Sequence, residues 1–181
     1  MADNKKTLYA FPKRKPDDPS FAILRAWWGN LENDKGERAA LRRAANLTGV
    51  MLSPAFHRLL NDLRRSGFSV TENRYPKLAA VTGLAARVRS DNGESLATSM
   101  GTPRSVGGKA TVSELRMRRL LACDDIDELY ALLRRALALI DNRASLADLA
   151  ATIWNWVPMD ENRPNDPRRQ MAYDYYAIAP L

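Results

Sequence analysis

The chain has 181 residues, 45% of them hydrophobic, with 28 Lys and Arg against 21 Asp and Glu and a formal net charge of +7. That length suits one domain or two small ones. A single cysteine, Cys123, excludes an internal disulfide, no apolar run approaches the ~18 residues of a membrane span, and the start lacks a signal-peptide core, so the expectation is a cytoplasmic protein.

Residues 1–19 are polar, hold three prolines and the run Lys13-Arg14-Lys15, and read as a flexible basic tail. Ser20 is placed to cap a first helix carrying Phe21, Leu24, Trp27, Trp28 and Leu31. A second helix is expected from Gly36 to about Leu47. Ser53-Pro54 sets a cap and a first-turn proline for a third, with Phe56, Leu59, Leu60 and Leu63 on one face and Gly67 as its stop. Residues 76–90, rich in Ala and Val, make a fourth helix. Residues 91–112 hold four glycines and read as loop around a short helical piece at 95–100.

Ser113 is expected to cap a helix to about Ala122. Asp125 and Glu128 form a capping box, opening a helix with the stripe Leu129, Leu132, Leu133, Ala136, Leu137 and Ile140. Ser145 and Asp148 open another through Ile153-Trp154. Asp166-Pro167 starts the last, with Met171, Tyr175 and Ile178 on one face. No stretch alternates as a strand does. The fold class expected is all-α, two small helical bundles at 20–101 and 112–181 joined by a glycine-rich linker at 102–111. The four tryptophans read as core anchors of these bundles rather than base-stacking platforms.

The charge is regional. Residues 34–65 carry seven basic against three acidic residues, and 102–123 carry five against one, net +4 in each; residues 124–156 carry three against six, net −3. Arginines recur in pairs on the predicted helices. Arg42, Arg43, Arg116, Arg119, Arg134 and Arg135 have no Asp or Glu three or four residues away, where a helical partner would lie. Arg118 has Glu114, and Arg58 has Asp62. A guanidinium left unpaired on a rigid helix is free to grip a phosphate through two parallel hydrogen bonds, so the six point to nucleic-acid backbone, with Arg38 and Lys109 as weaker additions.

Catalytic chemistry is poorly provided for. His57 is the one histidine, and no HExxH, CxxC, GxGxxG or Walker A spacing occurs. The segment Ser105-Val-Gly-Gly-Lys109 lacks the spacing of a phosphate-binding loop. Asp124, Asp125 and Asp127 are explained by a helix N-terminus, which favours acids, better than by a metal. No cofactor, metal or catalytic residue is expected. Two alternatives stay open: a helix-turn-helix regulator using the Leu47–Ser53 connection, and a metal-dependent nuclease.

Several segments fall in one order: Leu24-Arg-Ala-Trp-Trp28, Glu37-Arg-Ala-Ala-Leu-Arg-Arg43, Pro54-Ala-Phe-His-Arg-Leu-Leu60, Val112-Ser-Glu-Leu-Arg-Met-Arg-Arg-Leu-Leu121, Leu132-Leu-Arg-Arg-Ala-Leu137, Ile153-Trp-Asn-Trp156 and Arg168-Arg-Gln-Met-Ala-Tyr-Asp-Tyr-Tyr176. Together they resemble the CasB family, the small subunit of the type I-E CRISPR surveillance complex Cascade, over roughly residues 21–176. The resemblance implies a non-enzymatic, all-helical subunit of antiviral defence. Its implied partners are the guide RNA, the target and displaced DNA strands, other Cascade subunits and a second copy of itself, with no membrane. It implies that the arginines above contact nucleic-acid backbone and help hold the R-loop, while base pairing reads sequence.

Overall fold

The computed structural model describes residues 8–13, 15, 17–157 and 166–180. Among these, the chain forms ten α-helices and no strand: α1 Pro19–Asn33, α2 Lys35–Arg43, α3 Leu47–Met51, α4 Pro54–Arg65, α5 Tyr75–Ala85, α6 Leu96–Gly101, α7 Glu114–Leu121, α8 Ile126–Leu139, α9 Leu146–Trp154 and α10 Pro167–Tyr176. The all-α reading holds. Most N-termini are closed by a short polar side chain that accepts from an orphan backbone N–H, including Ser53 on α4, Asp125 on α8, Ser145 on α9 and Asp166 on α10.

Three boundaries differ from expectation, and one cap lacks its hydrogen bond. Asp18, not Ser20, caps α1, because Pro19 then takes the first-turn position that needs no N–H. Ser20 is buried and its hydroxyl instead accepts from the Phe11 N–H at 2.8 Å. The second predicted helix is two, α2 capped by Asp34 and α3 capped by Asn46. The fourth ends at Ala85 rather than 90, because the following backbone pairs across the molecule: Arg89 N–H donates to Asn142 O at 2.8 Å and Ala144 N–H to Ser90 O at 3.2 Å. Ser113 holds the cap position of α7 without a capping hydrogen bond.

Helix α5 is the centre of the molecule. Every residue from Leu78 to Ala85 is buried, so it has no wet face and must be covered on all sides. Helices α3, α4, α8 and α9 pack on it, and the buried side chains before and after residues 102–111 form one hydrophobic cluster. Gly83 permits the closest approach: a Cβ there would lie 2.9 Å from Tyr130 Oη and 3.0 Å from Val50 Cγ2. The glycine-rich segment 102–111 folds back on itself, with Thr111 Oγ1 donating to Thr102 O at 2.7 Å and Val112 N–H to Met100 O at 2.9 Å.

The expected tail is docked over part of its length. Phe11 is fully buried between Phe21 and Trp154, at ring-centroid distances of 5.7 and 5.6 Å, and its carbonyl accepts from Asn155. Burying one phenyl ring contributes about 1.5–3 kcal/mol, which fixes an otherwise polar stretch. Residues 1–7, Arg14 and Pro16 of that segment lie outside the described residues.

Arg168 ties α10 to the ends of α7 and α9. It is buried and donates to the carbonyls of Leu121, Cys123 and Val157 and to Asp124 and Asp166, while its guanidinium lies 4.4 Å from the Trp156 ring centroid. Asp166 is only 5% exposed. Arg168→Met leaves that carboxylate buried without its cation and should cost about 3–5 kcal/mol in urea unfolding; adding Asp166→Asn should restore much of the loss.

Asp148 gives a pH signature. Burial, then the nearby Asp174 charge, pushes its carboxyl above the ordinary range, although the Leu96 N–H, which it accepts at 2.8 Å, pulls the other way. A carboxyl raised in the folded state binds protons more readily there than in the unfolded chain, so its contribution falls as pH rises through its titration. Asp148→Asn keeps an acceptor for Leu96. Its Tm relative to the parent should therefore rise from acid toward neutral pH; a Tm difference independent of pH would contradict this.

Candidate nucleic-acid interface

The C-terminus of a helix carries the negative end of its dipole, and the carbonyls there and just beyond it lack helical partners. At the exit of the buried helix α5 this demand is met by guanidinium and indole groups. Arg38 on α2 donates Nε to Ala86 O at 3.1 Å and its terminal nitrogen to Val88 O, and sits 5.8 Å over the Trp28 ring. Trp28 Nε1 also donates to Val88 O. Arg87 reaches the other way and donates to the backbone carbonyl of Arg42, at the C-terminal end of α2.

These bonds gather positive charge. Burial, then the Arg42 charge and more weakly that of Arg89, holds the Arg38 guanidinium below its ordinary pKa, with the Glu32 charge opposing them. Burial does the same to Arg87, helped chiefly by Arg134 on α8 and also by Arg42, and the Arg87 Nε is buried without a hydrogen-bond partner. A surface cavity of about 280 Å³ beside them is lined by Lys35, Arg38, Ala39, Arg42 and Arg89, with no carboxylate. Four segments, the body of α2, its end, the α5 exit and α8, thus converge on one cationic surface. Among the described residues, Arg42, Arg43, Arg89 and Arg134 take no carboxylate partner.

The remaining predicted residues lie elsewhere. Arg116, Arg119 and Arg135 surround a second cavity between α7 and α8. Successive helical residues point about 100° apart, so Arg134 and Arg135 belong to different groups. Arg119 is not unpaired: Glu128, nine residues on and at the start of α8, lies 3.3 Å from it. Arg116 and Arg135 remain without a carboxylate among the described residues. Arg118 pairs with Glu114 at 2.6 Å as expected, but Arg58 pairs with Glu37 of α2 rather than Asp62, since α2 and α4 both pack on α1. Lys109 stands exposed on the folded-back loop.

Sequence reasoning missed Lys35, Arg87 and Arg89. A helix continued to residue 90 would set Asp91 one turn beyond Arg87 and appear to neutralise it. Asp91 instead pairs with Arg25 at 3.1 Å and accepts from the Leu146 N–H. The tryptophans are structural: Trp27, Trp154 and Trp156 are buried and Trp28 half-buried. His57 is exposed, edge-on to Phe56. No group of three His, Cys, Asp or Glu placed to hold a metal ion occurs among the described residues, and no helix there is long and apolar enough to cross a membrane.

Fold and surface together define an all-helical protein with a regional cationic face raised around a buried central helix. Residues 37–176 match the model of the CRISPR-associated protein Cse2 family. The chain belongs to that family, the CasB small subunits of type I-E Cascade. The crystal structure of CasB from Thermus thermophilus superposes with a TM-score of 0.64 at 23% sequence identity, covering 88% of this chain and 98% of that one, and so shares the fold. No curated protein matches the sequence.

Arg38 is committed to backbone carbonyls, which separates it from the free arginines. Arg38→Ala should lower unfolding stability by about 1.5–3 kcal/mol, the worth of charge-assisted hydrogen bonds. It should also change the salt dependence of nucleic-acid binding less than Arg42→Ala does. Measuring both on both variants distinguishes a structural arginine from a contacting one.

Proposed function

We propose that this chain is a non-catalytic Cascade subunit that grips nucleic-acid backbone with the face formed by Arg42, Arg87, Arg89 and Arg134, and so stabilises the R-loop of guide RNA, target strand and displaced strand in antiviral defence. The observation that carries the reading is the convergence of these guanidiniums from α2, the α5 exit and α8 with no carboxylate among them. Like charges held together repel, and a polyanion relieves that repulsion while releasing its own counterions. In an RNA-guided complex base pairing reads the sequence, so a subunit of this kind needs backbone contacts alone.

The helix-turn-helix alternative finds no matching geometry. The connection it needs is itself helix α3, packed on α5, and the first turn of α4 buries Ala55 and Phe56 instead of presenting polar side chains to bases.

The test is the salt dependence of binding to a fluorescent oligodeoxythymidine. Arg42→Glu with Arg134→Glu should weaken binding to every sequence alike. The plot of log affinity against log salt should flatten by about 0.7 for each single-strand phosphate that the protein no longer neutralises. A slope and an affinity matching the parent would refute the proposed face.

A further inference from the structure

The cavity between α7 and α8 has a different character from the cationic face. Its volume is about 130 Å³, and its walls are the aliphatic side chains of Val112, Leu120, Leu132, Ala136 and Leu139. Leu132 and Leu139 are half-buried, so the walls open to solvent. The exposed side chains of Arg116, Arg119 and Arg135 surround them. On the neighbouring turn of α7, Leu115 is 79% exposed.

Two kinds of occupant suit arginines, and the walls choose between them. An unstacked base would press its polar edge against five hydrocarbon groups that offer it neither donor nor acceptor, and an orphaned polar edge is costly to bury. No aromatic ring lines the cavity to offset that by stacking. A leucine-sized or phenyl side chain incurs no such cost, and the guanidiniums at the mouth then call for carboxylates on either side of it. An apolar anchor in a pocket with a charged rim is the usual anatomy of a protein-docking hot spot.

We infer that this cavity is a docking site for an acidic segment of a partner protein, which inserts one aliphatic or phenyl side chain between Leu120, Leu132 and Leu139 and sets its flanking carboxylates on Arg116 and Arg135. Arg119 shares its charge with Glu128 and contributes less. The site is separate from the nucleic-acid face, since Arg134 and Arg135 turn to different sides of α8.

The test uses the full chain with labelled leucine methyls and a synthetic acidic peptide carrying a single leucine among aspartates and glutamates. Saturable shifts of the Leu120, Leu132 and Leu139 methyls are expected, with binding weakened about tenfold or more when the peptide leucine becomes alanine. Ala136→Trp, which fills the cavity, and the milder Ala136→Leu should weaken peptide binding in order of size while leaving the salt slope for oligodeoxythymidine unchanged. Arg116→Glu, on an exposed position, should weaken it without touching the core. Three results would overturn the inference: peptide binding indifferent to the leucine and to Ala136 substitution, the same methyls shifted by oligodeoxythymidine in place of peptide, or methyl shifts that depend on protein concentration alone, which would make the occupant a second copy. Loss of oligodeoxythymidine binding in the Arg42/Arg134 variant with peptide binding intact bears on the nucleic-acid reading and not on this one.

Discussion

The structure depends on one constraint: helix α5 buries every residue from Leu78 to Ala85, so the rest of the chain must enclose it. Enclosure brings α3 and α4 from one side of the glycine-rich segment and α8 and α9 from the other into one core. It also creates a demand at the helix end. Carbonyls just beyond α5 are drawn into a half-buried setting, where unpaired acceptors are costly. Arg38 and Trp28 satisfy them, and Arg87 satisfies the matching carbonyl at the end of α2.

The cationic face is a consequence of that arrangement. Arg38 and Arg87 cap backbone carbonyls and make no ion pair among the described residues, and Arg42, Arg89 and Arg134 lie in the same neighbourhood, with Glu32 near Arg38 as a partial counter-charge. The face is therefore built on helix ends fixed by a rigid core rather than on mobile side chains alone. Such a surface is preorganised for an anion: the cost of assembling like charges is met in folding and is relieved on binding. The proposed role, supporting strands whose sequence is read by pairing, requires this and no base-reading helix.

Much of the fold could be read from the chain because its signals are local. Ser53-Pro54, Asp125 with Glu128, Ser145 and Asp166-Pro167 each mark a helix start within a few residues, and the structure keeps all four. What failed was long-range. The α5 exit leaves helical geometry because its backbone pairs with residues 142–144, which nothing near residue 85 announces. Phe11 sits in a proline-rich polar stretch, and only the partners Phe21 and Trp154 make it core. The arginine pairs were visible, but a pair on a helix faces two directions, and whether Arg119 finds an acid depended on Glu128 of the next helix. Arg87 escaped notice because Asp91 stands four residues on in sequence while serving Arg25 and the α9 N-terminus in space, and Arg89 because it is not one of an adjacent pair.

The central claim is that guanidiniums from α2, the α5 exit and α8 form one anion-binding surface. Titrating the intact chain with oligodeoxythymidine while observing arginine Nε–Hε resonances tests it most directly. The account predicts that Arg42, Arg87, Arg89 and Arg134 shift together with a common midpoint, while Arg168, sealed in its own carbonyl and carboxylate cage, does not move. Separate midpoints for these four, or shifts confined to Arg116 and Arg135, would contradict it.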